Sequence, residues 1–154
     1  MTTCPKCGAN KWTETLHPYR RDFDGRRFSA ELPARSCTSC GEVLTSGPAG
    51  VKADRSITLA LARSGEVGPQ GFRWLRSAAG LEAKRLAELL NVSPGTVSRW
   101  ENGKRALDRG AAALVCALAL QSLGERADPL ALLEGLASKK RPPRRVRLDL
   151  RKAS

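Results

Sequence analysis

Two short cysteine motifs constrain the fold of this chain more than any other feature. Each has two cysteines, separated by two residues and followed by glycine: Cys4-Pro5-Lys6-Cys7-Gly8 and Cys37-Thr38-Ser39-Cys40-Gly41. This spacing lets two thiolates of one tight turn bind the same ion, and the glycine permits a positive φ. Four sulfur ligands suit a closed tetrahedral site, so we predict one structural Zn²⁺ bound by Cys4, Cys7, Cys37 and Cys40.

Three alternatives compete with a structural zinc site at these cysteines. A rubredoxin-like iron centre uses two such motifs at about this separation. A thioredoxin-like dithiol needs a single Cys-x-x-Cys in a βαβ setting, which the pattern lacks. His17, the only histidine, could be a ligand, although four cysteines already complete a site.

The residues between the motifs predict a β-hairpin. Residues 11–23 and 26–34 are joined at Asp24-Gly25, a favoured type I′ turn. The candidates for a small core beside the metal are Trp12, Leu16, Tyr19, Phe23 and Phe28. We therefore predict a zinc ribbon over residues 1–46.

Two segments rich in glycine and proline divide the chain after the ribbon. The first is residues 45–50 and the second is residues 65–69. Between them, residues 51–64 have the apolar spacing of a helix. We predict a linker and connecting helix over residues 47–69, which either joins two domains or packs against a second subunit.

Residues 70–138 are predicted to be helical. The expected helices begin near Phe72 and then cover residues 82–90, 93–101, 108–123 and 128–137. Ser93-Pro94 and Asp128-Pro129 each combine an N-cap residue with proline at the first helical position. Asn102-Gly103 is a typical helix end.

Three positions in this region are typical of a helix-turn-helix. Ala87 is small where two helices must approach closely, and Asn91 can adopt the left-handed conformation of the turn. Val97 is a β-branched side chain directed into the core. An ordinary helical hairpin is the alternative.

Residues 70–123 resemble a Xre/Cro/lambda-repressor-type domain, through the string Thr96-Val97-Ser98-Arg99-Trp100-Glu101-Asn102-Gly103. With the cysteine pairs and Leu32-Pro33-Ala34-Arg35, residues 1–123 resemble the YgiT-type zinc finger/helix-turn-helix proteins, which include MqsA-family antitoxins. The resemblance implies a two-domain fold, a zinc ribbon plus an all-α lambda-repressor-like bundle. It also implies a third helix that enters the major groove and a zinc module that holds a cognate toxin.

Helix geometry predicts which side chains of residues 93–102 contact DNA. Val97 and Trp100 point inward, so the outward positions are Ser93, Gly95, Thr96, Ser98, Arg99 and Asn102. Arg99 is the first candidate for reading a base, because arginine pairs bidentately with guanine. The MqsA pattern has an asparagine where Gly95 stands, so a different operator is expected. Glu101 is expected to be structural, bonded to an arginine.

Phosphate contacts are predicted from basic residues that flank this helix: Lys84, Arg85, Lys104 and Arg105. For Lys84 and Arg85 a solvated helix face is the alternative. The formal net charge of +12 and the pI of about 10.3 make a polyanion the expected partner. Residues 139–154 carry eight Lys and Arg residues against Asp149 alone. We predict a disordered basic tail that either wraps phosphates or is merely solvated.

No apolar stretch approaches the ~20 residues that span a membrane, and no signal-peptide segment is evident. We therefore expect a soluble bacterial protein of the cytoplasm, associated with the nucleoid.

The function that these patterns predict is sequence-specific DNA binding by a transcriptional autorepressor. Its expected partners are double-stranded DNA, a second copy in a homodimer, and a toxin if the protein is an antitoxin. The alternative is a protein-interaction scaffold without specific DNA recognition. No phosphate loop and no nucleophile with a base is evident, so we do not expect an enzyme.

Overall fold

The computed structural model describes residues 2–151, which form two compact units. Of the described residues, the ribbon unit comprises residues 2–21, 27–56 and 145–151. The helical unit comprises residues 22–26 and 57–144. A small sheet beside the cysteines and a helical bundle therefore correspond to the predicted two-domain fold class.

The ribbon unit is built on a four-stranded sheet. Its strands are β1 (Trp12–Phe23), β2 (Arg26–Cys37), β3 (Val43–Thr45) and β4 (Arg145–Arg147). The predicted hairpin is confirmed, since β1 and β2 are joined at Asp24 and Gly25, whose φ angles are +50° and +78°. Both angles are positive, as a type I′ turn requires. β3 pairs with β2 in the antiparallel sense and β4 in the parallel sense.

The core of the ribbon unit lies on one face of β2. Ala30 and Leu32 alternate with exposed residues and are buried with Ala49 and Ala53 of helix α1 (Gly47–Ala62). Tyr19, Leu148 and Leu150 pack against this cluster. The predicted core is therefore partly wrong: Leu16 is 59% exposed, and Phe23 belongs to the helical unit.

The predicted disordered tail, residues 139–154, differs from the structure over residues 145–151, while residues 152–154 lie outside the described part of the chain. Arg145–Arg147 form β4, which pairs with Arg27–Ser29 of β2. The physical reason lies in residues 145–151, where apolar and polar side chains alternate with the period of a strand. Leu148 and Leu150 bury apolar surface in the ribbon core, which a disordered tail would leave in water.

The helical unit contains five further helices, placed close to the predicted positions. They are α2 (Pro69–Ala78), α3 (Ala83–Leu89), α4 (Pro94–Glu101), α5 (Arg109–Ser122) and α6 (Pro129–Ala137). The predicted N-caps are confirmed, because the Ser93 and Asp128 side chains accept backbone N–H groups of α4 and α6. Asp108 caps α5 in the same way.

The core of the helical unit is formed by apolar side chains of α2, α3, α4 and α5. Phe72, Leu86 and Val97 are fully buried, and the Phe72 and Trp100 rings meet edge to face at 6.1 Å. Cys116 is buried among them, as predicted, and its burial raises the pKa of its thiol to about 12.

The tip of the hairpin supplies the acceptor for the first turn of α2. The Asp24 carboxylate accepts the backbone N–H groups of Gln70 at 3.0 Å and Gly71 at 2.8 Å. Gln70 Oε1 accepts the Asp24 backbone N–H at 2.8 Å in return. Next to it, the Phe23 and Trp74 rings meet edge to face at 5.1 Å. Asp24 therefore acts as an N-cap for α2 although it lies far from this helix in sequence.

Within residues 2–151, no helix is both long and apolar enough to cross a membrane.

Candidate metal centre and nucleic-acid interface

The four cysteines of the two motifs converge in the ribbon unit. Their Sγ atoms all lie within 4.8 Å of one another. The Cys4–Cys40 and Cys7–Cys37 sulfurs are each 3.6 Å apart. A tetrahedral ion with bonds of about 2.3 Å to sulfur needs ligands about 3.8 Å apart, so the cluster fits one metal ion. The predicted assembly of these four residues is confirmed.

The two motifs have the same backbone geometry. Gly8 donates its N–H to the Cys4 carbonyl at 2.8 Å, and Gly41 donates to the Cys37 carbonyl at 2.9 Å. Both glycines have a positive φ, +75° and +76°. No atom would lie within 4 Å of a Cβ at either position, so glycine is needed for the backbone angle and not for space. Each motif is thus a tight turn that aims two sulfurs at one point.

The electrostatics of the cluster favour a bound cation. A hydrogen bond from the Ser39 backbone N–H lowers the pKa of Cys37 to about 7. At Cys40 a hydrogen bond from the Glu42 backbone N–H lowers the pKa of the thiol, but burial and the neighbouring thiols outweigh it and raise this pKa to about 12. Four thiolates so close together repel one another, and a metal ion offsets this repulsion. The donor set suits Zn²⁺ or iron. His17 lies exposed on β1 and outside the cluster.

The segment from α3 to α4 has the geometry of a helix-turn-helix. Ala87 is fully buried, and its carbonyl accepts the Val92 backbone N–H at 3.0 Å. Asn91 has a φ of +53°, so the predicted left-handed turn residue is confirmed. Val97 and Trp100 are buried, also as predicted.

The exposed face of α4 carries most of the side chains predicted to contact DNA. Ser93, Gly95, Ser98, Arg99 and Asn102 are exposed. The outward orientation predicted for Thr96 is wrong: this residue is only 6% exposed, and its hydroxyl lies 3.0 Å from Ser93 Oγ. The reason is helical geometry, since Thr96 lies one turn before the buried Trp100 on the same side of the helix.

Arg99 is the most prominent cation on this face. Its guanidinium lies along Gly95, where a Cβ would be 3.5 Å from Arg99 Nη1. The Asn102 side chain donates to the Ser98 carbonyl at 2.8 Å and closes the end of the helix. A Cβ at position 95 would therefore make only ordinary van der Waals contact with Arg99, so the position of this guanidinium does not require glycine.

The four residues predicted to contact phosphate are all exposed: Lys84, Arg85, Lys104 and Arg105. Arg85 forms an exposed ion pair with Glu88 at 3.3 Å. Directly after α4, the backbone N–H groups of Lys104 and Arg105 both bond to the Arg99 carbonyl, at 2.9 and 3.3 Å.

A buried ion pair anchors the C-terminal end of α4. Arg76 of α2 donates to Glu101 at 2.5 Å, and their side chains are only 11% and 9% exposed. Arg76 also donates to the Leu81 carbonyl. The prediction that Glu101 bonds to an arginine is confirmed. The identity of the partner was missed, because no local pattern connects residues 25 positions apart.

This geometry agrees with the comparison with known protein families. A helix-turn-helix domain family matches residues 71–130. No curated protein has a matching sequence. The chain therefore contains a helix-turn-helix domain, the class of module that commonly binds DNA, together with a cysteine cluster suited to a metal ion.

Proposed function

We propose that this protein is a sequence-specific DNA-binding transcriptional regulator that reads its operator with α4. The observation that supports this most directly is the exposed face of α4, with Arg99 at its centre, within a helix-turn-helix domain. The second helix of a helix-turn-helix motif, which is α4 here and the third helix of the domain, lies in the major groove. A binding role of this kind requires no catalysis.

The exposed residues divide into two groups by the contacts we propose. Arg99 pairs with a guanine, while Ser93, Gly95, Ser98 and Asn102 lie against the neighbouring bases and backbone. Lys84, Arg85, Lys104 and Arg105 neutralise phosphates on either side. Thr96 is not among the proposed base contacts, because its side chain is buried and its hydroxyl bonds to Ser93 at the start of α4.

The test begins with genomic DNA fragments that the purified, metal-loaded protein enriches. On the enriched site, Arg99→Ala should lose about 1–3 kcal/mol of binding free energy and accept other bases at one position. Arg126→Ala, which removes an exposed charge after α5, is the matched control and should retain the preference. Unchanged affinity and preference in Arg99→Ala would contradict the assignment. Binding without any sequence preference in the unsubstituted protein would favour a protein-interaction scaffold.

We further propose that the cysteine cluster holds one structural Zn²⁺. Residues Cys4, Cys7, Cys37 and Cys40 would fill all four positions of the ion, and so its role is to stabilise the ribbon unit. Metal analysis of the purified protein distinguishes zinc from iron, and an iron–thiolate absorption band would contradict zinc.

The finer assignment is an autorepressor and antitoxin that acts as a homodimer. It rests on the resemblance to YgiT-type proteins and on one feature of the ribbon unit. That unit has an open groove of about 740 Å³, lined in part by Leu16, Pro33 and Leu44. Leu16 is 59% exposed there, and an exposed apolar side chain in a groove is suited to a protein partner.

Two measurements test this finer assignment. Enrichment of one site upstream of its own gene would support autorepression, whereas scattered sites would contradict it. A toxin encoded by a neighbouring small gene should co-purify with the protein, and Leu16→Asp should abolish this. Leu89→Asp, which changes an exposed leucine of α3, is the control. Loss of the toxin from both variants, or from neither, would contradict the groove as its binding site.

A further inference from the structure

The C-terminal segment gives the ribbon unit a second feature, an array of arginines on the exposed side of its sheet. Along residues 145–151 the exposed positions are Arg145, Arg147, Asp149 and Arg151, and they alternate with half-buried apolar residues. The Leu148 backbone N–H bonds to the Ser29 carbonyl at 2.8 Å, which continues the pairing beyond β4. Pairing and burial thus hold these arginines in place.

Two of these arginines lie beside a third on β2. Arg27 is the register partner of Arg145, and Ser29 is the partner of Arg147. Register partners lie on one face of a sheet, on strands about 4.8 Å apart, and alternate residues of a strand are about 6.6 Å apart. Guanidinium groups brought this close together raise the positive potential at this face of the sheet, which attracts an anion.

The guanidinium of Arg147 has further donors for such an anion. It forms an ion pair with Glu31 at 3.4 Å, yet the Arg147 side chain is 81% exposed. Arginine has five N–H donors, and a single ion pair uses only some of them. We call Arg27, Arg145 and Arg147 the basic strand face.

The net charges of the two units indicate that the ligand of the basic strand face is a polyanion. Counted over the described residues 2–21, 27–56 and 145–151, the ribbon unit has eleven Lys and Arg residues and five Asp and Glu residues, a net charge of +6. Without residues 145–151 the counts are eight and four, a net charge of +4. The helical unit, with fifteen against ten, has a net charge of +5. The ribbon unit is thus the more basic one only because it includes the C-terminal segment.

We propose that the basic strand face binds the phosphate backbone of duplex DNA, so that the ribbon unit makes its own sequence-independent contact. This inference rests on the proposed function, because it takes DNA as the polyanion that the ribbon unit binds. Arginines spaced along a strand suit a ligand with regularly repeated phosphates, because each guanidinium can bond two phosphate oxygens. A paired strand also loses less conformational freedom on binding than a disordered tail would.

The test is the salt dependence of DNA binding by the full-length, metal-loaded protein. Arg145→Gln/Arg147→Gln is compared with Lys52→Gln/Arg126→Gln, which removes the same charge from other exposed positions. Dissociation constants are measured over a range of salt, on the enriched genomic fragment and on a random duplex of equal length. The slope of log Kobs against log salt should fall by about 1.8 in the first variant, because each phosphate contact contributes about 0.9. The loss should be equal on both DNAs, and the control should keep most of the slope.

A second variant separates contact with DNA from an effect on the fold. Arg145→Lys/Arg147→Lys keeps both charges and should keep most of the slope. An equal loss of slope in the Lys and Gln variants would overturn the proposal, as would a Gln variant no different from the control. If either result came while Arg99→Ala still relaxed base preference, only the basic strand face would be refuted. If the unsubstituted protein bound neither DNA, the proposed function itself would fail.

Discussion

The buried pair of Arg76 and Glu101 leads to the sharpest prediction about the helical unit. Glu101→Gln preserves the shape of the side chain but leaves the Arg76 charge without its counter-ion in a site that is 11% exposed. Removing one partner of a buried ion pair costs about 3–5 kcal/mol. The glutamine oxygen can still accept one hydrogen bond, so we expect a loss near the lower end, about 3 kcal/mol in the free energy of unfolding.

Urea unfolding followed by far-UV circular dichroism measures this loss. With a slope of about 2 kcal/mol per M, the midpoint should fall by about 1.5 M. Arg85 and Glu88 supply the matched control, because their ion pair is 61% and 52% exposed. Glu88→Gln should lower the free energy of unfolding by less than about 0.5 kcal/mol. Equal shifts in Glu101→Gln and Glu88→Gln would refute the argument from burial.

A double substitution tests the same reasoning from the opposite direction. Arg76→Met/Glu101→Leu removes both charges, and a well-packed apolar replacement of a buried pair is often neutral or stabilising. The double variant should therefore unfold at a higher urea concentration than Glu101→Gln alone. A double variant less stable than the single one would contradict an uncompensated charge as the main cause, since lost packing or the lost hydrogen bond to the Leu81 carbonyl would then outweigh it.

Three other predictions concern the metal centre, the hairpin tip and the ribbon core. Cys37→Ser should abolish the binding of one metal ion per chain, measured by metal analysis, whereas Cys116→Ser should leave it unchanged because that thiol lies in the helical core. Asp24→Ala should lower the free energy of unfolding by at least about 1 kcal/mol, because it removes the cap of α2 and places alanine at a φ of +50°; a thermal transition that does not move would contradict this cap. Burial and then Asp54 raise the pKa of Tyr19 from its ordinary value of 10.0. As the pH rises, the unfolded chain therefore loses the Tyr19 proton before the folded chain does. The free energy of unfolding that this pKa difference contributes is complete below pH 10 and should fall as the pH rises above 10. Tyr19→Phe should flatten the decline in an alkaline denaturation series, and an unchanged decline would contradict it.

Local features of this protein could be predicted from the sequence because neighbouring residues determine them. The turn at Asp24-Gly25 needs two positive φ angles, and the pair Asn91 and Val97 marks a helix-turn-helix over a few residues. The cysteine cluster was predictable for the same reason, since each motif forms a complete half-site within five residues. The burial of Thr96 could have been predicted in the same way, because Thr96 lies four residues before the inward-facing Trp100 on the same side of α4.

Only the tertiary structure decided which distant residues meet. The alternating pattern of residues 145–151 was a strand signal in the sequence, but nothing local indicated that its partner is Arg27–Ser29 of β2. The sequence indicates only a turn at Asp24-Gly25, yet the Asp24 carboxylate also caps α2, and Arg76 meets Glu101 across 25 positions. Turn and cap preferences depend on one or two residues, whereas these contacts depend on burial of apolar surface by the whole chain. The sequence by itself thus determined the local motifs, which are the cysteine turns, the hairpin turn and the helix-turn-helix. Only the folding of the whole chain determined which distant segments pair or pack together.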